Sequence, residues 1–148
     1  MSIADRTTQT TWLGSLAKGS GKLGKSSSTA LDGLDLTWAS RTEAPGGKTS
    51  PEELLAAAHS SCFSMALSLK LGEHKLEAER LEVTATVSLS DVNGLPTIDR
   101  SSLTVRGRVP GASAQQFASI VDEAGKLCPV SRLFAGATIT VEATLLAS

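Results

Sequence analysis

The stretch SPEELLAAAHSSCFSMALSLKLGE, residues 50–73, decides how this chain is read. It begins as a helix should. Ser50 can cap, Pro51 suits the first helical position, whose N–H would be unpaired anyway, and Glu53 completes a capping box with Ser50. Gly72 is the expected stop. In the middle of this predicted helix stands Cys62, three residues after His59. That spacing turns about 300° around a helix axis, so the two side chains share a face. Ala56, Ala57 and Ala58 keep one approach slim, leaving room for another backbone or helix to come close.

Upstream, residues 14–28 read GSLAKGSGKLGKSSS. They form either a disordered arm or a hairpin joining a strand near Thr8–Leu13 to one near Lys22–Ser28. Leu34, Leu36 and Trp38 alternate with polar or small residues, the period of a half-buried strand. APGGKT, 44–49, is a loop. Downstream, Leu81, Val83, Ala85, Val87 and Leu89 alternate as a strand, and Asn93-Gly94 signals a tight hairpin turn. The return strand runs through Ile98, Leu103 and Val105 to Val109. Ser113-x-x-Gln116 opens a second helix with Phe117, Ile120, Val121 and Ala124 on its apolar face. Cys128-Pro129-Val130-Ser131 restarts a short helix, since proline is tolerated in a first turn. Ile139, Val141, Ala143 and Leu145 make a last strand. The order β-β-β-α-β-β-α-β predicts an α+β fold with helices packed on an antiparallel or mixed sheet.

The 148 residues fit a single domain over 1–148, and no repeat or linker interrupts them. Hydrophobic residues make up 41% and charged residues 20%, the balance of a soluble globular chain. A net charge of −1 argues against nucleic acid or an anionic membrane as partner. MSIADRTTQT has no apolar core of a secretory signal, so a cytoplasmic location is expected. Residues 54–71 carry His59, four serines and Lys70, which reads as too polar to span a bilayer.

Two cysteines, Cys62 and Cys128, do not make a disulfide scaffold in a chain without an export signal. The plain reading makes both buried thiols that act as small hydrophobes, and His59 a packing or surface residue. The sharper reading is a reactive pair. A thiol with an ordinary pKa near 8.5 is mostly protonated at neutral pH and needs a cation beside it to become a nucleophile. His59 or an arginine can supply one. Cys128, just before Pro129, sits where a helix N-terminus favours a thiolate. Neither cysteine belongs to a CxxC pair. A zinc site built from His59, Cys62 and Cys128 is weakly signalled, with only His74 left as a further soft ligand, so no metal and no cofactor are expected.

SPEELLAAAHSSCFSMALSL around the first cysteine and CPVSRL around the second resemble the OsmC/Ohr family of thiol peroxidases, and the resemblance extends over most of the chain. Ohr members usually have tyrosine at the place of His59 and a Gly-Gly-Arg-Asp-type motif where this chain reads AKGSGKLGK, so the chain resembles the OsmC branch. The resemblance implies an intertwined α+β homodimer that reduces organic hydroperoxides in an oxidative or osmotic stress response. It implies that Cys62 is the peroxidatic cysteine and Cys128 the resolving one, joined as a disulfide during turnover. An external dithiol, a lipoyl-type dithiol being one candidate, would reduce that disulfide. It matches Glu52 to the acidic residue that anchors an active-site arginine, and Arg41 to that arginine.

The chemistry fits these implied roles. An arginine beside Cys62 favours the thiolate and donates to the peroxide oxygens as charge moves onto the leaving alkoxide. Glu52 would hold the guanidinium through a forked pair. Ten residues of straight helix span about 15 Å, so Glu52 and Cys62 of one chain are not expected to meet at one arginine. Either the helix bends, or Arg41 and Glu52 come from a partner subunit, which is the favoured expectation. Phe63, Met65 and Phe134, beside His59, are candidates for an apolar substrate pocket that would favour alkyl peroxides. Two rival classes remain: a non-catalytic binding or structural dimer of the same fold, and a hydrolase with Cys62 as nucleophile and His59 as base.

Overall fold

The computed structural model describes residues 1–147. The chain forms two compact units, Met1–Leu54 and a second that begins at Leu55, with the boundary inside the long helix. The elements run β-β-β-α-α-β-β-α-α-β. The α+β expectation therefore holds, the short helix restarted at Pro129 is present, and one further short helix precedes the long one.

In the first unit, β1 (Gln9–Leu13) and β2 (Ser20–Gly24) pair antiparallel, with Thr10 opposite Leu23 and Trp12 opposite Gly21. The hairpin reading of the Gly/Ser/Lys-rich segment is thus the one realised, and β2 ends four residues earlier than expected. Gly21 is required there. A Cβ at that position would lie 2.6 Å from Leu36 Cδ1 and 2.9 Å from Trp12 Cε3. β3 is only Asp35–Leu36 and pairs with β2. The predicted strand through Trp38 stops short because Thr37 starts a helix instead. Thr37 Oγ1 accepts the Ser40 N–H at 3.0 Å and Ser40 Oγ accepts the Thr37 N–H at 2.9 Å, a complete capping box for α1 (Trp38–Thr42).

Helix α2 (Pro51–Glu73) begins where predicted, and Ser50 Oγ accepts the Glu53 N–H at 3.1 Å. The predicted reciprocal half of that box is replaced: Glu53 Oε1 accepts the Thr49 hydroxyl at 2.8 Å. By length and composition α2 is apolar enough to cross a membrane, against the expectation drawn from its serines and His59. In this fold it is the core helix of the second unit. Phe63, Leu67 and Leu71 recur every four residues on its buried face.

The second sheet has the order β4-β5-β6. β4 (Arg80–Val92) and β5 (Leu95–Arg108) form the predicted hairpin. Asn93 and Gly94 take φ of 54° and 81°, the left-handed pair that a two-residue turn matching strand twist demands. β6 (Thr138–Leu145) lies parallel to β5. A parallel pair needs a crossover, and α3 (Ala114–Leu127) with α4 (Pro129–Leu133) supplies it. Ser113 caps α3, accepting the Gln116 N–H at 3.1 Å. The predicted face of α3 is the buried one: Phe117, Ile120, Val121 and Ala124 pack with Phe63, Leu67, Leu71, Leu103, Val105 and Cys128 in one core.

Candidate active site

The first unit assembles an arginine and a carboxylate. The capping box that begins α1 places Arg41 in its last turn, and Glu52 stands in the first turn of α2. Arg41 Nε donates to Glu52 Oε1 at 3.0 Å and Oε2 at 3.2 Å, and Nη2 donates to Oε1 at 2.7 Å. This is a forked, charge-assisted pair, the geometry that lysine cannot reproduce. It is partly shielded, the side chains being 30% and 11% exposed. Buried Ser40 steadies it, because its hydroxyl donates to the Thr49 carbonyl at 3.0 Å and ties α1 to the residue that precedes α2.

The second unit assembles the two thiols. Cys62, in the middle of α2, is half-buried; Cys128, the residue that precedes α4, has no exposure; both are free. They are 66 positions apart in sequence, yet Cys62 packs against the core that holds Cys128, and Cys128 is among the groups that shift its pKa. Burial pushes the Cys62 thiol above its ordinary value, and the neighbouring Cys128 side chain pushes the same way. The backbone N–H of Val130, in the first turn of α4, pulls it down. Among the described residues no cation is in that set. The local surroundings of Cys62 therefore hold it as a thiol.

His59 has no exposure. Its Nδ1 lies 2.6 Å from Ser101 Oγ on β5, and its Nε2 lies 2.9 Å from Ser131 Oγ on α4. Phe134 packs over the ring with centroids 5.2 Å apart. Burial holds the His59 pKa below its ordinary value, so the ring is neutral. Of the four residues expected to line a pocket, His59 and Phe63 are enclosed in the core and Phe134 is 8% exposed, whereas Met65 is 71% exposed. His59 and Phe63 thus face no open surface of this chain. Both ring nitrogens of His59 are engaged by hydroxyls, and among the described residues no three metal-binding side chains converge.

Sequence reasoning did not single out Ser101. Its signal was present: it stands in the same inward register of β5 as Leu103 and Val105, and a serine there needs a buried partner. Ser131 lay within the quoted CPVSRL without a role. Nor did the sequence show that the Val130 backbone would lower the Cys62 pKa.

An α+β fold with one free thiol on a core helix and another at the start of a crossover helix defines the class, and known proteins give its family. The model of the family "OsmC-like protein" matches residues 44–144. Peroxiredoxin OsmC of Escherichia coli (strain K12) is 38% identical over 125 residues, covering 84% of this chain and 86% of that protein. An organic hydroperoxide resistance protein-like protein of Staphylococcus aureus (strain MSSA476) is 32% identical over 104 residues, 70% of this chain and 74% of its own. Among solved structures, the organic hydroperoxide resistance protein OhrB of Bacillus subtilis aligns with a TM-score of 0.71 at 27% identity, over 95% of this chain and 98% of that one. An OsmC-like protein from Mycoplasma pneumoniae aligns with a TM-score of 0.76 at 16% identity, over 99% and 100%, a likeness of fold alone. The chain belongs to the OsmC family.

Proposed function

We propose that this protein is a thiol peroxidase that reduces organic hydroperoxides to alcohols, with Cys62 as the attacking thiol and Cys128 as the resolving one. The observation that carries the reading is that these two free thiols, from α2 and the start of α4, belong to one core, with Cys128 near enough to shift the Cys62 pKa. The names of the Escherichia coli and Staphylococcus aureus relatives point the same way. In the first step the Cys62 thiolate attacks the terminal peroxide oxygen. The O–O bond breaks, an S–O bond forms, and the alkoxide takes up a proton and leaves as the alcohol. Cys128 then condenses with the Cys62 sulfenic acid to a disulfide and water, and an external dithiol returns both thiols.

The activating cation in this reading is Arg41, held by Glu52 and brought to Cys62 of a second copy, so that the working unit is a homodimer. Two observations support it. Glu52 and Cys62 are ten residues apart on one continuous helix. The outward side of α2 also carries Ala57, Ala58, Ser61, Met65, Ser68 and Leu69, a slim, partly apolar surface exposed in the single chain. Such a surface suits close helix packing, and the fully exposed alternative would leave Met65 and Leu69 in water.

The test is intact-mass spectrometry after one equivalent of cumene hydroperoxide. A loss of two hydrogens, mapped to a Cys62–Cys128 disulfide, is expected, and Cys128→Ser should instead hold one added oxygen. An unchanged mass in the parent protein would overturn the peroxidase reading in favour of a binding dimer or a hydrolase.

A further inference from the structure

His59 is enclosed, and no step above uses it. Burying an imidazole is costly unless both ring nitrogens find partners. Here they do, on two different elements: Ser101 Oγ of β5 at 2.6 Å and Ser131 Oγ of α4 at 2.9 Å. The position of these bonds relative to the sulfurs is informative. Along α2, His59 comes three residues before Cys62; at the start of α4, Ser131 comes three residues after Cys128. The His59–Ser131 bond therefore links the two segments that carry Cys62 and Cys128, about one helical turn from the cysteine on each. Helix α4 has only five residues, too few to hold a position by its own helical stability. The His59 bond and the Phe134 ring over the imidazole fasten it to α2.

We propose that His59 is a positioning residue for disulfide formation: through Ser131 it holds α4 against α2 so that Cys128 meets oxidised Cys62. This rests on the two-cysteine reading above. In the step concerned, the Cys128 sulfur attacks the sulfenyl sulfur of Cys62. An S–S bond forms, the S–O bond breaks, and the departing hydroxide combines with the proton released by the Cys128 thiol to give water. His59 acts through Ser131 rather than on the sulfurs. Ser101 fixes the ring from the sheet side. A histidine suits this place because it presents two polar atoms on opposite edges, and serine hydroxyls can donate or accept to match either tautomer. A leucine would fill the space and leave two hydroxyls without partners.

The experiment compares Ser131→Ala, Ser131→Thr and Ser101→Ala with the parent protein, each checked for a cooperative thermal transition well above the assay temperature. Rapid quench after one equivalent of cumene hydroperoxide, read by mass, separates sulfenic acid formation from disulfide formation. Loss of one hydrogen bond should slow condensation in Ser131→Ala by roughly five- to tenfold, with one sulfenic acid still formed per Cys62 and more sulfinic acid under excess peroxide. Ser131→Thr keeps a hydroxyl and should regain most of the rate. Ser101→Ala also costs His59 one bond but leaves α4 fastened, so it should slow condensation less. Equal slowing in the two alanine variants, or parental condensation in Ser131→Ala, would overturn the proposal. A second arm without peroxide equilibrates the proteins with reduced and oxidised glutathione. There Ser131→Ala should disfavour the Cys62–Cys128 disulfide by a similar factor, and an equal equilibrium would count against the tie. If the peroxidase reading were wrong, the parent would form no sulfenic acid in the first arm, while the glutathione arm would still report on His59.

Discussion

Arg41→Ala tests the proposal that this arginine, supplied by a second copy, activates Cys62. In the single chain, burial and Cys128 hold the Cys62 thiol above its ordinary value. At neutral pH no more than roughly three molecules in a hundred would then carry the thiolate. A guanidinium about 4 Å away, at an effective dielectric of about 20, is worth about 4 kcal/mol. The arginine does not come alone, however. Glu52 accepts its Nε and Nη2 at 2.7 to 3.2 Å, which sets an opposite charge behind it. With the carboxylate about 8 Å from the sulfur, the same dielectric returns about 2 kcal/mol. The net effect is about 2 kcal/mol, or roughly 1.5 pKa units. Arg41→Ala should therefore raise the Cys62 midpoint by that amount and slow peroxide attack near neutral pH by roughly thirtyfold. Arg41→Lys should recover only part, because an ammonium cannot fork to Glu52 and donate to the peroxide together. The assay is iodoacetamide alkylation of Cys62 across pH in a Cys128→Ser background, read by mass. A midpoint that does not move in Arg41→Ala would refute the reasoning.

Further outcomes can be checked alongside it. If each site is built from two chains, heterodimers of Cys62→Ser with Glu52→Ala should regain activity. Random exchange puts about half of the dimers in the mixed form, so up to about a quarter of sites should work; verified heterodimers with no gain over either parent would place Glu52 and Cys62 in one chain's site. Burial holds His59 below its ordinary value of 6.5, so the unfolded chain takes up that proton first as pH falls. Its contribution to stability is intact above pH 6.5 and declines as the pH falls below it. Urea unfolding at mildly acidic and neutral pH should show a smaller loss in His59→Asn than in the parent, and equal losses would count against a neutral, buried ring. Gly107→Ala would put a Cβ 2.7 Å from Phe117 Cζ and 3.1 Å from Leu81 Cδ2. Overpacking of this kind should lower stability by about 1–3 kcal/mol, and an unchanged urea midpoint would mean that the Phe117 ring has room to move.

The parts of the fold that were legible in the sequence are those whose signals are local. Asn93-Gly94 specified its hairpin because two adjacent left-handed residues admit few other backbones. Ser113 and the apolar face of α3 were legible because a cap and a period of 3.6 sit within one segment. Trp38 was misread for the same reason in reverse. Alternation carried the strand pattern through it, while the stronger local signal, Thr37 capping Ser40, had already turned the chain into α1. The Glu53 half of the α2 capping box gave way to Thr49, one residue further upstream and equally able to donate. The parallel pairing of β5 with β6 leaves no mark in either strand, since it depends on where the crossover through α3 and α4 returns the chain.

The candidate site divides along the same line. Each cysteine stood in a recognisable segment, but the energetics of Cys62 could not be read from its own helix. An interior helical position removes water from the thiol, and small neighbours such as Ser61 spend their hydroxyls on their own backbone, here on Ala57 O at 2.7 Å and Ala58 O at 3.1 Å. The residues that move its pKa come from Cys128 and Val130, more than sixty positions away. The same holds for His59. Its neighbours along α2 are alanines and serines, which suggest a surface. What makes it an interior group is a serine in the inward register of β5 and another on α4. A buried serine between Arg100 and Ser102 on a strand whose next inward residues are Leu103 and Val105 is a local conflict, a polar group where the pattern asks for an apolar one. Such conflicts are costly to keep unless something distant answers them. Ser101 marked the far end of the His59 contact, even though the sequence could not say which residue would meet it.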